Sequence, residues 1–193
     1  FKIAMRDLEI RGAGNILGGE QHGHMEAVGY DLYLKLLGEA IKREKGEEVQ
    51  EIDAGCLVDV QIQAHIPERY IADLNQRLDV YRRIADVRTR EDALDVTGEL
   101  IDRSGDPPES ANGLLEIALL RSQAAALGVS EIKQQGEAIL FYQNKIDMKQ
   151  VSRLVSGMKK RVMVNAGAKP YISVKLSGTP LDTMRETLGL MQE

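Results

Sequence analysis

The sequence predicts an α+β protein in which helices pack against a small, mainly antiparallel sheet, preceded by a strand, a glycine loop and a helix. Two observations predict this class. Apolar residues recur at helical spacing over most of the stretch 68–127. Beyond Gly128 the pattern changes to short runs rich in β-branched residues, separated by turn residues, which is typical of hairpins. Hydrophobic residues make up 43% of the chain, which is enough for a packed core.

The composition limits the classes of function. The 193 residues carry 30 acidic and 25 basic side chains, and this net charge of −5 argues against a stand-alone nucleic-acid-binding domain. Tryptophan is absent and aromatic residues are only 4% of the chain, so a stacking platform for single strands is not expected. The single cysteine, Cys56, excludes an internal disulfide and fits the reducing cytoplasm, where we expect the protein to act. No apolar run approaches the roughly 18 residues of a membrane span.

The first segment, residues 1–46, begins with a β-like run and continues into a glycine-rich loop. Five glycines lie within residues 11–24, a density that neither a regular helix nor a strand tolerates at low cost. A helix then continues to about Lys45. The polar, aperiodic residues 46–51 are interpreted as a linker, so the second segment spans residues 47–193.

The second segment opens with the clearest predicted strand. Apolar residues alternate with polar ones, which is typical of an antiparallel strand with one buried face, and Pro67 ends it. The apolar positions are Val58, Val60, Ile62, Ala64 and Ile66. A helix over about residues 68–87 follows, with Leu78 and Tyr81 on its inner face.

Capping and turn signals predict the remaining elements. Thr89 is a predicted N-cap, with Asp92 in capping-box position, for a helix that ends near Arg103. The elements after it are a helix over 110–127, a hairpin of strands 129–134 and 138–143 around Gly136, a helix over 148–160, strands 161–165 and 171–176, and a last helix over 180–191 that begins after Thr179.

The helix after Thr89 carries a face of like charge. Four carboxylates at spacings of three, four and three share one side of it, and the other side is assigned Leu94, Thr97, Leu100 and Ile101. Like charges at these spacings destabilise a helix by roughly 0.2–0.5 kcal/mol per pair. The face is therefore either a solvated surface, which is ordinary for exposed acids, or a docking strip for a basic surface. The four residues are Asp92, Asp95, Glu99 and Asp102.

Recognisable catalytic and ligand-binding motifs are absent from the sequence. There is no G-x-x-x-x-G-K-[ST] phosphate loop, so we expect no nucleotide site, no bound cofactor and no ATP hydrolysis in this stretch. His22 and His24 form an H-x-H pair, but two histidines do not supply the three or four converging ligands of a metal site. Asp7 and Glu9 lack a nucleophile and are interpreted as structural charges rather than catalytic groups.

Six short motifs carry a resemblance to a known family. They are DLEIRGAG (7–14), LG (17–18), EQHG (20–23), GYDLY (29–33), RLDVYRRIA (77–85) and ELIDRSG (99–105). The first three resemble the translocation motif that bacterial transcription-repair coupling factors, the Mfd family, share with the branch-migrating helicase RecG. The last three resemble the coupling-factor version alone, so the chain is identified as similar to the C-terminal part of that family.

The resemblance implies roles for both segments. Residues 1–46 resemble the end of the RecG-like translocation module, a remnant of a helicase motor, and residues 47–193 resemble the C-terminal regulatory domain. In the family, residues matching Arg11 and Gln21 couple ATP hydrolysis to movement along duplex DNA. From the residues alone, a structural loop in which Arg11 pairs with a nearby carboxylate stays open.

The resemblance also implies that the acidic helix is an interdomain contact. In the family, residues matching Glu99, Asp102 and Arg103 contact an arginine-bearing, UvrB-like domain near the N-terminus of the same chain. That contact hides the surface that binds UvrA until the motor engages. Asp95 belongs to the same helical face.

The parent protein implied by the resemblance is a DNA-translocating ATPase. It uses ATP and Mg²⁺, binds duplex DNA, RNA polymerase and UvrA, displaces polymerase stalled at lesions and recruits nucleotide excision repair. The 193-residue stretch is then not an enzyme by itself. Two other functions stay open from the residues: an unrelated protein-interaction domain with a structural glycine loop, and a small enzyme whose glycine loop cradles an anion.

Overall fold

The structure, a computed structural model, describes residues 55–62 and 64–192. The predictions for segment 1–46, including Arg11, Gln21 and the histidine pair, lie outside these residues. Within them the elements are β1 Leu57–Asp59, α1 Leu74–Ala85, α2 Arg90–Ser104, α3 Glu109–Ala126, β2 Val129–Gln135, β3 Ala138–Gln143, α4 Met148–Met158, β4 Val162–Asn165, β5 Tyr171–Lys175 and α5 Pro180–Gln192.

The strands form a mixed, mainly antiparallel sheet in the order β1-β2-β3-β5-β4. Strand β1 pairs with β2 in parallel, and every other pair is antiparallel. The β2–β3 hairpin turns at Gly136, whose φ of 57° is a left-handed value that glycine adopts without a steric penalty. The predicted α+β class and the predicted hairpin are therefore confirmed.

One face of the sheet and the inner sides of the helices build the core. Phe141 of β3 and Ile172 of β5 are directly paired and fully buried. Helices α4 and α5 pack against each other, and α5 also contacts β3, β5 and α3. Leu154 of α4 and Leu188 of α5 are fully buried in the same cluster. No helix in the described part of the chain combines the length and the apolar character that crossing a bilayer requires.

The predicted long antiparallel strand at residues 58–66 is wrong in length and in direction. The strand ends at Asp59 and runs parallel to β2. Beyond Asp59, the backbone amides do not continue the hydrogen-bond ladder with β2. The Gln61 amide donates to the side-chain oxygen of Gln134 at 2.9 Å, and the His65 amide donates to the Ser110 carbonyl at 3.1 Å. The alternating burial that suggested a strand is nevertheless real, because Val60, Ala64 and Ile66 are buried.

Helix α1 begins later than predicted. Residues 67–70 form a turn in which the Tyr70 and Ile71 amides both donate to the Pro67 carbonyl. The helix starts only after Asp73, whose side chain accepts a hydrogen bond from the Gln76 amide at 2.9 Å. Such a cap satisfies one of the free amides in the first turn, which fixes the start of the helix at this point.

Candidate docking surface on helix α2

Helix α2 begins with the predicted capping box. Thr89 Oγ1 accepts from the Asp92 amide at 3.2 Å, and the Asp92 carboxylate accepts from the Thr89 and Arg88 amides at 2.7 and 3.0 Å. These backbone hydrogen bonds favour the charged carboxylate and lower the pKa of Asp92 below its usual 3.8. Asp92 therefore serves the fold as a cap, which takes it out of the predicted four-carboxylate strip.

The inner face of α2 agrees only in part with the predicted apolar side. Ala93 and Leu100 are buried, and Val96 and Thr97 between them are half-buried. The prediction is therefore right for Thr97 and Leu100 and wrong for Leu94 and Ile101, which have exposed fractions of 63% and 44%. The spacing of the buried positions, i, i+3, i+4 and i+7, is the core-facing helical pattern, and it could have identified the inner stripe from the sequence.

Glu99 is held between two arginines of its own domain. Its carboxylate forms ion pairs with Arg83 of α1 and with Arg103 of α2, the second at 2.9 Å. The Glu99 side chain is 28% exposed, whereas Arg83 and Arg103 are half or more exposed. The predicted docking residues Glu99 and Arg103 are thus brought together with Arg83, a residue that the sequence reasoning missed. No periodicity signals this contact, because it joins two different helices.

Asp95 and Asp102 are the free charges of the surface. Both are exposed, and neither side-chain carboxylate forms a hydrogen bond or an ion pair with any other described residue. They lie seven residues apart, so they are separated by only about 20° around the helix and form one stripe. Leu94 and Ile101 form a second stripe with the same spacing. Between the two stripes lies Gly98, where an added Cβ would meet no atom within 4 Å.

The C-terminal end of α2 is fixed by a tyrosine. Tyr70 donates from its hydroxyl to the Gly105 carbonyl at 2.7 Å, with a longer contact of 3.4 Å to the Leu100 carbonyl. Burial and, to a lesser degree, the charge of Asp106 raise the pKa of Tyr70, so the hydroxyl stays protonated and remains a donor. Gly105 ends the helix with a φ of 80°. A capped start and a tied end present the α2 surface as a rigid unit.

The α2 surface, defined as Leu94, Asp95, Gly98, Glu99, Ile101, Asp102 and Arg103, suits recognition of a protein rather than catalysis. It combines an acidic stripe, an apolar stripe and a shallow gap at Gly98. No group of three His, Cys, Asp or Glu side chains among the described residues converges as a metal site would require. The complementary surface would be basic with exposed apolar groups.

Comparison with known proteins gives a consistent family. The model of the TRCF domain family matches residues 60–154, which include all of α1, α2 and the β2–β3 hairpin. A transcription-repair-coupling factor of Bacillus subtilis (strain 168) is 36% identical over 199 aligned residues, which cover 100% of this chain and 17% of that protein. One from Staphylococcus haemolyticus (strain JCSC1435) is 41% identical over 140 residues, covering 72% of this chain and 12% of that protein.

A solved structure agrees at the level of the fold. The crystal structure of a C-terminal domain of transcription-repair coupling factor superimposes with a TM-score of 0.60 at 22% identity, covering 70% of this chain and 88% of that one. The chain spans less than a fifth of the length of the curated relatives that it matches. On the family match and the identity with these relatives, the chain belongs to the transcription-repair-coupling factor family.

Proposed function

We propose that this chain is the C-terminal regulatory part of a transcription-repair coupling factor, and that the α2 surface docks on a basic surface of the same protein. The parent protein would be a DNA-translocating ATPase that displaces RNA polymerase stalled at lesions. The docked surface would be the UvrB-like domain near the N-terminus, and docking would hide its UvrA-binding face. The observation that carries this proposal is the pair of exposed carboxylates, Asp95 and Asp102, beside two exposed apolar residues on one rigid helix.

The charge arrangement supports a basic partner. The carboxylates of Asp95 and Asp102 form no ion pair with a described residue, so their charge is available to a partner. Glu99 is available only in part, because Arg83 and Arg103 already balance it. Removing Glu99 deletes one negative charge that attracts a basic partner. It also leaves two arginines on the same surface without their counter-ion, and these repel such a partner.

The apolar stripe supports a protein partner over a purely solvated face. A charged face on a monomer does not need Leu94 and Ile101 outside the core, where they expose apolar area to water. Buried against a partner, each would contribute through the apolar area removed from water. Helix α2 is packed on α1 and α3 by its other side, so this stripe is not part of the domain's own core.

The test is the affinity of the intact protein for UvrA without DNA. We expect the double variant Glu99→Ala with Asp102→Ala to bind UvrA about tenfold more tightly than wild type, since two partly exposed charge contacts together amount to about that factor. Gly98→Arg should act in the same direction without deleting a carboxylate. It fills the gap between the stripes, adds a positive charge and replaces glycine with a better helix former, so the helix should remain folded.

Glu137→Ala is the matched control. Glu137 lies on the β2–β3 turn with 87% of its side chain exposed, and its nearest cation, on Lys175, is 3.9 Å away. This variant removes one exposed carboxylate elsewhere on the domain and should leave UvrA binding unchanged. If the double variant and Gly98→Arg also bind UvrA as wild type does, the α2 surface is a solvated face and the proposed docking is wrong.

A further inference from the structure

Strand β4 is an edge strand with an unusually apolar surface. It pairs with β5 on one side, and no strand of the described residues pairs with its other side, so alternate backbone N–H and C=O groups point outward. Met163 and Val164 project to opposite faces of the sheet and are 72% and 42% exposed. Edge strands are commonly protected by a lysine, a proline or a bulge. The sequence Val-Met-Val-Asn of β4 contains neither lysine nor proline, and its register with β5 is continuous.

The opposite edge of the sheet provides a contrast. Strand β1 has only three residues, its central Val58 is fully buried, and it ends in the exposed carboxylate of Asp59. A short, charged and half-buried edge discourages an added strand. Of the two sheet edges formed by the described residues, the β4 edge is the one that is open in both its backbone and its side chains.

A groove runs beside β4 on the outer face of the sheet. It has a volume of about 430 Å³ and is lined mainly by residues of β3, β4 and β5, among them Leu140, Met163, Asn165 and Tyr171. The strand register sets Leu140, Ser173 and Met163 side by side across this face. The groove thus combines the apolar side chains of Leu140 and Met163 with the polar side chain of Ser173, and it opens at the strand that lacks an outer neighbour among the described residues.

Positive charge collects at one end of β4. Lys159 and Lys160 lie in a short 3-10 helix, Lys159–Arg161, that leads into the strand, and both are exposed with no described carboxylate within ion-pair distance. Lys175, at the end of β5, has only the 3.9 Å contact with Glu137. Arg161 differs from these lysines, because Glu186 pairs with it at 2.9 Å. The end of the edge strand thus carries lysine charges that no neighbour in the described part of the chain neutralises.

We propose that β4 binds an extended acidic segment of a partner protein as an additional strand of the sheet. The backbone of the segment would pair with the outward groups of β4, as in other cases of strand addition. One apolar side chain would lie in the groove beside Met163, and a carboxylate would meet Lys159 and Lys160. Nucleic acid is the weaker alternative, because the groove offers apolar area next to a strand edge rather than a row of exposed aromatic faces.

The test is fluorescence-polarisation binding of the full 193-residue chain to synthetic peptides. The probe is a fluorescein-labelled peptide of about eight residues that alternates valine with glutamate, and the comparison probe alternates valine with lysine. We expect the acidic peptide to bind and the basic one to bind at least about tenfold more weakly, since like charges at Lys159 and Lys160 disfavour it. Binding should also slow hydrogen exchange at amides of β4, which an exposed charge contact alone would not do.

Two pairs of variants separate strand addition from general charge attraction. Lys159→Glu with Lys160→Glu should weaken the binding of the acidic peptide about tenfold. Lys145→Glu with Lys149→Glu, an equal charge change on other exposed lysines, should change its affinity less than about twofold. Met163→Lys with Val164→Lys should abolish the exchange protection of β4 by charging the edge.

Three outcomes would overturn the proposal. The first is that the acidic peptide fails to bind. The second is that both pairs of charge reversals weaken its binding equally. The third is that a labelled DNA duplex binds through Lys159 and Lys160 while the peptide does not. None of these measurements involves the α2 surface or UvrA, so the proposal stands or falls independently of the proposed docking.

Discussion

At the scale of single residues, the Tyr81 hydroxyl provides a hydrogen-bond acceptor that a neighbouring strand would otherwise have provided. The backbone amide of Ile66 is buried and donates to the Tyr81 hydroxyl at 2.8 Å. Tyr81 itself is 2% exposed and comes from α1, fifteen positions along the chain. The alternation of residues 58–66 predicts correctly which side chains are buried, because burial has the same period in any extended chain. It does not predict the acceptor, since that depends on a contact between separate elements.

Replacing Tyr81 with phenylalanine should destabilise the domain. The variant keeps the ring in the core but leaves the Ile66 amide buried without this acceptor, which costs about 1–3 kcal/mol. Urea unfolding would measure the change. Tyr142→Phe is the control, because Tyr142 is half-buried on the outer sheet face and its ring, rather than its hydroxyl, contacts Lys169. Equal stabilities of the two variants would contradict a structural role for the Tyr81 hydroxyl.

At the scale of elements, helix α2 shows what capping signals can and cannot predict. The T-x-x-D spacing predicts the start of the helix correctly, because the capping box is a local arrangement of four consecutive residues. The predicted apolar side is right for Thr97 and Leu100 but wrong for Leu94 and Ile101, because apolar character alone assigned these two residues to it. Which side of α2 is buried depends on where α1 and α3 pack against it. In the sequence, that side is marked only by the helical spacing of Ala93, Val96, Thr97 and Leu100.

The cap should make α2 sensitive to acid. The pKa of Asp92 is lowered in the folded state, so its contribution to stability is complete above its usual pKa of 3.8 and is lost as pH falls through the lowered value. Asp92→Asn keeps the hydrogen-bond acceptor but cannot titrate. The variant should therefore lose less stability than wild type between about pH 5 and pH 2, as measured by thermal unfolding across that range.

Asp95→Asn is the control for the acid sensitivity of the cap. It removes a carboxylate from the same helix without touching the Thr89–Asp92 box. The second box, between Thr179 and Asp182 at the start of α5, remains in both variants and contributes equally to their pH dependence. If Asp92→Asn and Asp95→Asn show the same slope in acid, the charge of Asp92 does not support the cap.

At the scale of the whole molecule, the two surfaces proposed for binding have opposite character. Helix α2 exposes carboxylates beside leucine and isoleucine, and the β4 edge exposes lysines beside methionine and valine. The net charge of −5 reveals neither surface, because it averages over both. The mainly antiparallel sheet could be predicted from the hairpin and turn signals. The parallel β1–β2 pair and the edge position of β4 could not, because strand order depends on contacts between residues far apart in the chain.

The proposed docking of α2 should weaken with salt in a way that separates it from UvrA binding itself. Exposed charge pairs are screened beyond roughly 8–10 Å at physiological ionic strength, and more strongly as salt is added. UvrA binding has its own salt dependence, so wild type alone is not informative. The ratio of UvrA affinities between the Glu99→Ala/Asp102→Ala variant and wild type removes that dependence, because both proteins present the same UvrA-binding surface. We expect this ratio to fall from about ten toward about one as salt rises to roughly 1 M, where the Debye length is about 3 Å. A ratio that stays near ten at every salt concentration would mean that Glu99 and Asp102 hold the docked state through contacts that salt does not screen, and a ratio near one throughout would mean that the apolar stripe of Leu94 and Ile101 holds it without them.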